Sequence, residues 1–109
     1  MSDRSRNKES LGIYFNAAQV AKSLADENRL RILECLEDGK HSVSALVEKL
    51  GLSQPLVSHH LRELKRTALV RVERKGPFVY YELTDAGVLD LMRSLSRMAD
   101  LLLKSRIHF

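Results

Sequence analysis

Two histidines stand side by side at positions 59 and 60, inside the stretch SQPLVSHHLRELKRTALV (residues 53–70). Imidazole is the commonest metal ligand and a frequent general base, so the pair must first be tested as a chemical site. The test is one of direction. At about 100° per residue, adjacent helical side chains diverge too far to close on one ion. Helical ligand pairs use i,i+4 spacing for that reason, as in HExxH. On this helix Val57, Leu61, Leu64 and Ala68 fall on one apolar stripe, expected to face a core. Ser58, His59, Arg62 and Arg66 lie opposite, with Ser53, Gln54 and Pro55 at the leading end. His60 sits on the border of the stripe, near Leu56 and Leu64, where a partly buried ring with a backbone partner is expected. The histidines therefore form neither a catalytic couple nor a metal site.

The elements that position this helix are readable from their punctuation. Phe15, Ala18, Val20, Ala21 and Leu24 mark a first helix from about Tyr14 to Leu24. Asp26 is placed to cap a second, with Leu30, Ile32, Leu33 and Leu36 on its apolar face and Gly39 to end it in a left-handed conformation. Ser42 can cap a third, short helix that stops at Gly51. Ser53 as cap and Pro55 in the first turn then start the fourth, because proline has no N–H to lose there. Two helices joined by a tight glycine-containing turn make a helix-turn-helix.

After Leu69 the period changes from helix to strand. Val70 and Val72, then Val79, Tyr81 and Leu83, alternate on either side of the breaker RKGP, which reads as a β-hairpin with a basic tip. A last helix runs from about Ala86 to Ser105. Its Val88, Leu91, Leu95, Met98 and Leu102 repeat at 3-4-3-4 spacing, the seam of helices that pack lengthwise, so these five are the expected dimer interface. The fold class is mainly α with a β-hairpin wing: a winged helix-turn-helix with a helical dimer interface.

Composition limits the function classes. The 109 residues, 44% hydrophobic and 29% charged, fit one globular domain, read here as residues 10–109 behind a flexible arm over residues 1–9. The single cysteine, Cys35, permits no intrachain disulfide and no CxxC motif, and is expected to be a buried, inert thiol. The polar N-terminus and the lack of an apolar run of about 20 residues point to a cytoplasmic protein with no membrane partner. There is no Gly-rich phosphate loop, nucleophile elbow or carboxylate pair, so no enzyme, catalytic residue or cofactor is expected.

The net charge is +4, and its distribution says more than its size. Between Gln54 and Lys75 stand six basic residues (Arg62, Lys65, Arg66, Arg71, Arg74 and Lys75) against Glu63 and Glu73. That surplus equals the net charge of the whole chain, and it lies on the fourth helix and the hairpin, as phosphate binding requires. The expected DNA-contacting residues are Ser53, Gln54, Pro55, Ser58, His59, Arg62 and Arg66 on the helix, and Arg74 and Lys75 on the wing. Gln54, Ser58, His59 and Arg62 are the best placed for the groove itself.

LADENRLRIL, VSALVEKLGLSQPLVSHHLRELKRTALV and GPFVYYELT together resemble the ArsR/SmtB (arsenic-repressor) family of bacterial winged-helix transcription regulators, over roughly residues 18–90. The resemblance implies a homodimer, built from the first and last helices, on a palindromic double-stranded operator. It also implies that the paired histidines recur as part of the recognition-helix pattern. The family's metal-sensing motifs are not met here. Ser42 and Ser44 occupy the CxC-like position of arsenic-type sensors. Asp85 fits the start of the Asp-x-His of zinc- and nickel-type sensors, but Gly87 follows where histidine is needed, and Met98 and Leu101 replace the later His and carboxylate. Apolar side chains cannot bind zinc, and Asp85 is instead expected to cap the last helix. One cysteine cannot form the persulfide sensors' intrachain link. His41 and His108 have no assigned place.

The leading expectation is a homodimeric, DNA-binding repressor without the recognised metal sites, answering to an unknown small-molecule or metal inducer, or to none. The alternative is a winged-helix module for protein–protein contact, a use in which the basic face of the fourth helix is usually lost.

Overall fold

The computed structural model describes residues 3–107, with side chains over residues 12–104. In chain order it forms α1 (Asp3–Leu24), α2 (Glu27–Cys35), one 3-10 turn (Leu36–Asp38), α3 (Val43–Leu50), α4 (Gln54–Arg66), β1 (Val70–Lys75), β2 (Phe78–Leu83) and α5 (Gly87–Ile107). The α1 helix includes positions 3–9, which the sequence reads as an arm. His108 lies outside the described residues.

Side-chain oxygens start the helices. The Asn28 and Arg29 N–H groups donate to Asp26 Oδ1 at 2.8 and 3.1 Å. The Ala45 N–H donates to Ser42 Oγ at 3.1 Å, and the Leu56 N–H to Ser53 Oγ at 3.3 Å. At the head of α5 the Gly87 N–H donates to Asp85 Oδ2 at 2.7 Å. Each satisfies a backbone donor that the first helical turn cannot. Gly51 ends α3 with φ +67°, the left-handed region that the tight turn to α4 requires. The end of α2 differs from expectation. It stops at Cys35, the 3-10 turn carries Leu36 into the core, and Gly39 takes φ +125° with an extended ψ instead of a left-handed helical cap.

The two strands pair antiparallel from Val70↔Leu83 to Lys75↔Phe78, leaving Gly76 and Pro77 as a two-residue connection. Gly76 has φ +59°, the first-position glycine that a tight hairpin favours. His41 adds one bridge to the outer side of β2: its N–H donates to the Tyr81 carbonyl at 3.0 Å, and the Tyr81 N–H donates back at 2.8 Å. The His41 ring is buried, donating from Nδ1 to the Gly39 carbonyl at 2.9 Å and accepting the Lys49 Nζ at 2.8 Å on Nε2. His41 thus fastens α3 to the wing.

The core joins Ile32, Leu33 and Leu36 to Leu46 of α3 and to Val57, Leu61 and Leu64 of α4, with Leu69, Val70 and Val88 closing it. Ala68 does not continue the α4 stripe. The helix ends at Arg66, and Ala68 is an exposed turn residue with φ +59° that redirects the chain into β1.

His60 belongs to the buried face as well, at 4% exposure, but its expected backbone partner is replaced by a carboxylate. Nε2 lies 3.7 Å from Asp26 Oδ1, because this flank of α4 faces the first turn of α2 and not a free carbonyl. Nδ1 has no hydrogen-bond partner among the described residues. Burial pushes the His60 pKa below its ordinary 6.5 despite the nearby Asp26 charge. Burial acts to raise Asp26, but the Arg29 N–H, the His60 charge and the Asn28 N–H together hold it below 3.8. Below α4, Ser23 of α1 donates to the Glu63 carbonyl at 3.4 Å and accepts from Thr67 Oγ1 at 2.9 Å.

Leu61→Ala should lower the unfolding free energy by about 2–5 kcal/mol, read from the denaturant midpoint, since it opens a cavity in a fully buried site. Stability should also depend on pH in two windows. The unfolded chain takes up a proton on His60 before the folded one does, so stability falls as pH drops below 6.5 towards the folded value. Asp26 contributes stability that is complete above 3.8 and lost as pH falls through its folded value. Thermal midpoints between about pH 7.5 and pH 5.5 should decline in the wild type and decline less in His60→Gln; equal slopes would remove His60 from this account.

Candidate nucleic-acid interface

With Val57, His60, Leu61 and Leu64 turned inward, the remaining face of α4 is fixed by geometry. Pro55, His59, Arg62 and Arg66 are exposed on it, Gln54 and Ser53 are exposed at its leading end, and Ser58 is half-buried on its flank. The Ser53 hydroxyl is engaged as the helix cap. The two imidazole rings stand 5.4 Å apart between centroids and tilt by 56°, one in solvent and one in the core. They share no point at which a ligand could be held by both.

Neutralisation decides which cations are free to act. Arg66 lies 3.5 Å from Glu63, one turn earlier on α4. Arg71 donates to Glu82 at 2.7 Å across the hairpin. Glu73 is paired with Lys40 and stands 3.6 Å from Lys75. Arg62, Lys65 and Arg74 form no ion pair with another described residue. They project from the middle of α4, the end of α4 and the wing, so the uncompensated charge spans both elements. Such an array, fixed on rigid elements, suits anionic phosphates, and the polar groups at the head of α4 suit base edges. Lys65 counts in the basic surplus of the sequence but not among its expected DNA contacts, because position on the helical wheel gives no sign of which basic residues a carboxylate will occupy. Phe78, exposed beside the wing turn with its ring 6.4 Å from Tyr80, was likewise overlooked.

A second exposed face lies on the opposite elements. Leu91, Leu95, Met98 and Leu102 of α5 are 47–56% exposed, and Leu101 and Leu103 beside them are exposed as well. Val88 departs from that set: it is buried at 9% in the protomer's own core. Tyr14 and Phe15 of α1 are also exposed, and an apolar groove of about 770 Å³ runs between the helices along Val20, Leu24, Leu91 and Leu95. Cys35 is half-buried, and burial raises its thiol pKa, which disfavours the reactive thiolate. Among the described residues no three of His, Cys, Asp and Glu come together to hold a metal ion, and no helix is long and apolar enough to cross a membrane.

Known proteins share this arrangement. The family described as bacterial regulatory protein, arsR family, matches residues 26–72, from the Asp26 cap to the first half of β1. The transcriptional repressor SdpR of Bacillus subtilis is 35% identical over 71 residues, 65% of this chain and 79% of that protein. The transcriptional activator HlyU of Vibrio cholerae is 37% identical over 82 residues, 75% of this chain and 76% of HlyU. The structure of reduced HlyU superposes with a TM-score of 0.72 at 34% identity, over 84% of this chain and 96% of that one. A Mycobacterium bovis protein, described as a homodimeric winged helix-turn-helix DNA-binding domain, gives a TM-score of 0.74 at 31% identity and 83% coverage of each chain. The chain belongs to the arsR family of bacterial regulatory proteins, transcriptional regulators built on a winged helix-turn-helix.

Proposed function

We propose that two copies of this chain bind a palindromic duplex operator and repress transcription by occupying it. The carrying observation is the unneutralised line of Arg62 and Arg74 on two adjoining elements, with the polar head of α4 ahead of it. In this reading Gln54, Ser58, His59 and Arg62 enter the major groove, while Ser53 and Pro55 set the angle at which the helix arrives. Arg74 and Lys75 reach the flanking backbone or minor groove from the wing, and Arg66, held by Glu63, adds to the long-range field. Two such helices related by a twofold axis meet half-sites about one helical turn apart.

Leu91, Leu95, Met98 and Leu102, with the exposed face of α1, form the dimer contact; Val88 supports α5 from within the protomer. A contiguous apolar surface on two long helices is unusual for a lone soluble chain. The radius of gyration, 17.1 Å against roughly 13 Å for a compact chain of this length, supports this reading, since it fits a protomer with projecting helices. The M. bovis homodimer supports the same assembly, and the name of SdpR supports repression. The fold does not set the sign of regulation, since HlyU, described as a transcriptional activator, is also similar to this chain.

The test is fluorescence anisotropy on a duplex from the gene's own upstream region, or one selected from a random pool, against a random control across salt. Selective binding that weakens steeply with salt is expected. Arg62→Ala should cost about 1–3 kcal/mol on the selected duplex and relax its specificity. Equal affinity of wild type for selected and random duplexes at every salt concentration would sink the operator reading and turn the search to protein partners. Leu95→Glu should yield folded monomers by sedimentation velocity and lose the selective binding. A Leu95→Glu protein that stays dimeric would remove the α5 face from the interface.

A further inference from the structure

The end of α4 and the wing border an open, shallow crevice of about 590 Å³ whose lining includes Lys65, Arg71 and Arg74 together with Val70 and Val72. We infer that this crevice seats one backbone phosphate of the bound duplex, with Lys65 and Arg74 as its ligands. The inference rests on the DNA-binding reading above and adds a residue to it.

Three features of the crevice select an anion. None of its lining residues is acidic, and two of its three cations form no ion pair with another described residue, while Arg71 is held by Glu82. Its lining combines three cationic side chains with low-polarity surface, so the local potential is positive. It is also bordered by β1, which among the described residues pairs with β2 alone and so presents an open strand edge on its other side. The requirement is for one compact, multiply accepting anion, and the phosphodiester of a duplex running between helix and wing meets it.

The neighbouring arginine is excluded by the same reasoning. Arg66, one residue later, lines a different crevice on the α1 side with Lys22, Arg29 and Glu63, and stands 3.5 Å from that glutamate. One step along the helix turns the side chain by about 100°, enough to carry it from the wing to α1. The phosphate ligand at the end of α4 is therefore Lys65 and not Arg66.

The full-length protein should be titrated with the selected and random duplexes over a range of salt, as wild type, Lys65→Ala, Arg74→Ala, Arg66→Ala and Arg62→Ala. Lys65→Ala and Arg74→Ala should each weaken binding to both duplexes by the same factor and flatten the log–log salt slope by about 0.9. Arg66→Ala should flatten the slope by clearly less than either, since Glu63 already stands beside its charge, and Arg62→Ala should alter selectivity. Duplexes carrying a neutral methylphosphonate at single positions should reveal one linkage at which wild type loses affinity and Lys65→Ala does not. An unchanged slope in Lys65→Ala, alongside lost selectivity in Arg62→Ala, would overturn the crevice and leave the DNA reading intact. Absence of salt-dependent binding by wild type to any duplex would overturn both. Tight saturation of the Lys65 and Arg74 resonances by inorganic phosphate alone would reassign the crevice to a free anion.

Discussion

The aim of α4 depends on one carboxylate. Asp26 accepts two backbone N–H groups at the head of α2 and, with the same Oδ1, stands opposite the buried ring of His60 on α4. A group that caps one helix thereby sets the roll of another. Rolling α4 by one residue would take His60 away from that carboxylate and bring Arg62 or His59 towards the core, at the cost of burying a charge or an unpaired polar ring. The Ser23–Thr67 contact braces the far end of the same helix. Everything presented outward, from Gln54 to Arg66, inherits its direction from these anchors.

The polar surface is shaped as much by its acids as by its bases. Glu63, Glu73 and Glu82 take up Arg66, Lys40 with Lys75, and Arg71. Exposed pairs of this kind contribute little stability, since water screens them and two flexible chains lose freedom. Their consequence is in selection: they divide a basic surplus into spent and unspent charge. The counted surplus between Gln54 and Lys75 thus overstates how many residues are available to a phosphate and understates how well placed the remaining ones are.

Much of the fold is legible because its signals are local. A capping oxygen three residues ahead of a turn, a proline at a helix start or an alternation of valines each acts within a few residues, and Asp26, Ser42, Ser53 and Asp85 do what their positions imply. Failures fall where the deciding contact is distant. Ala68 fits the stripe by period, yet the chain must leave α4 to reach β1, so the helix ends first. Val88 fits the heptad seam, yet the base of α5 crosses the core before it projects. His60, placed on the border of the stripe by period, is more deeply buried than that position implies, and its partner lies 34 positions earlier in sequence, where no spacing rule reaches it. Lys65 needed the wing in place before its crevice existed at all.

The unpaired apolar faces of α1 and α5 carry a meaning for gene dosage. In the proposed dimer, a protomer that exposes Phe15, Leu95 and Leu102 gains further hydrophobic burial by association, so its stability and its assembly would draw on the same mass action. Below the dimerisation constant, the concentration of the assembled species rises with the square of the protomer concentration. On that reading, operator occupancy would respond to synthesis and dilution more steeply than for a single-chain binder. A cell dividing without making new subunits would then lose the proposed control of the operator abruptly, with no ligand having bound anywhere.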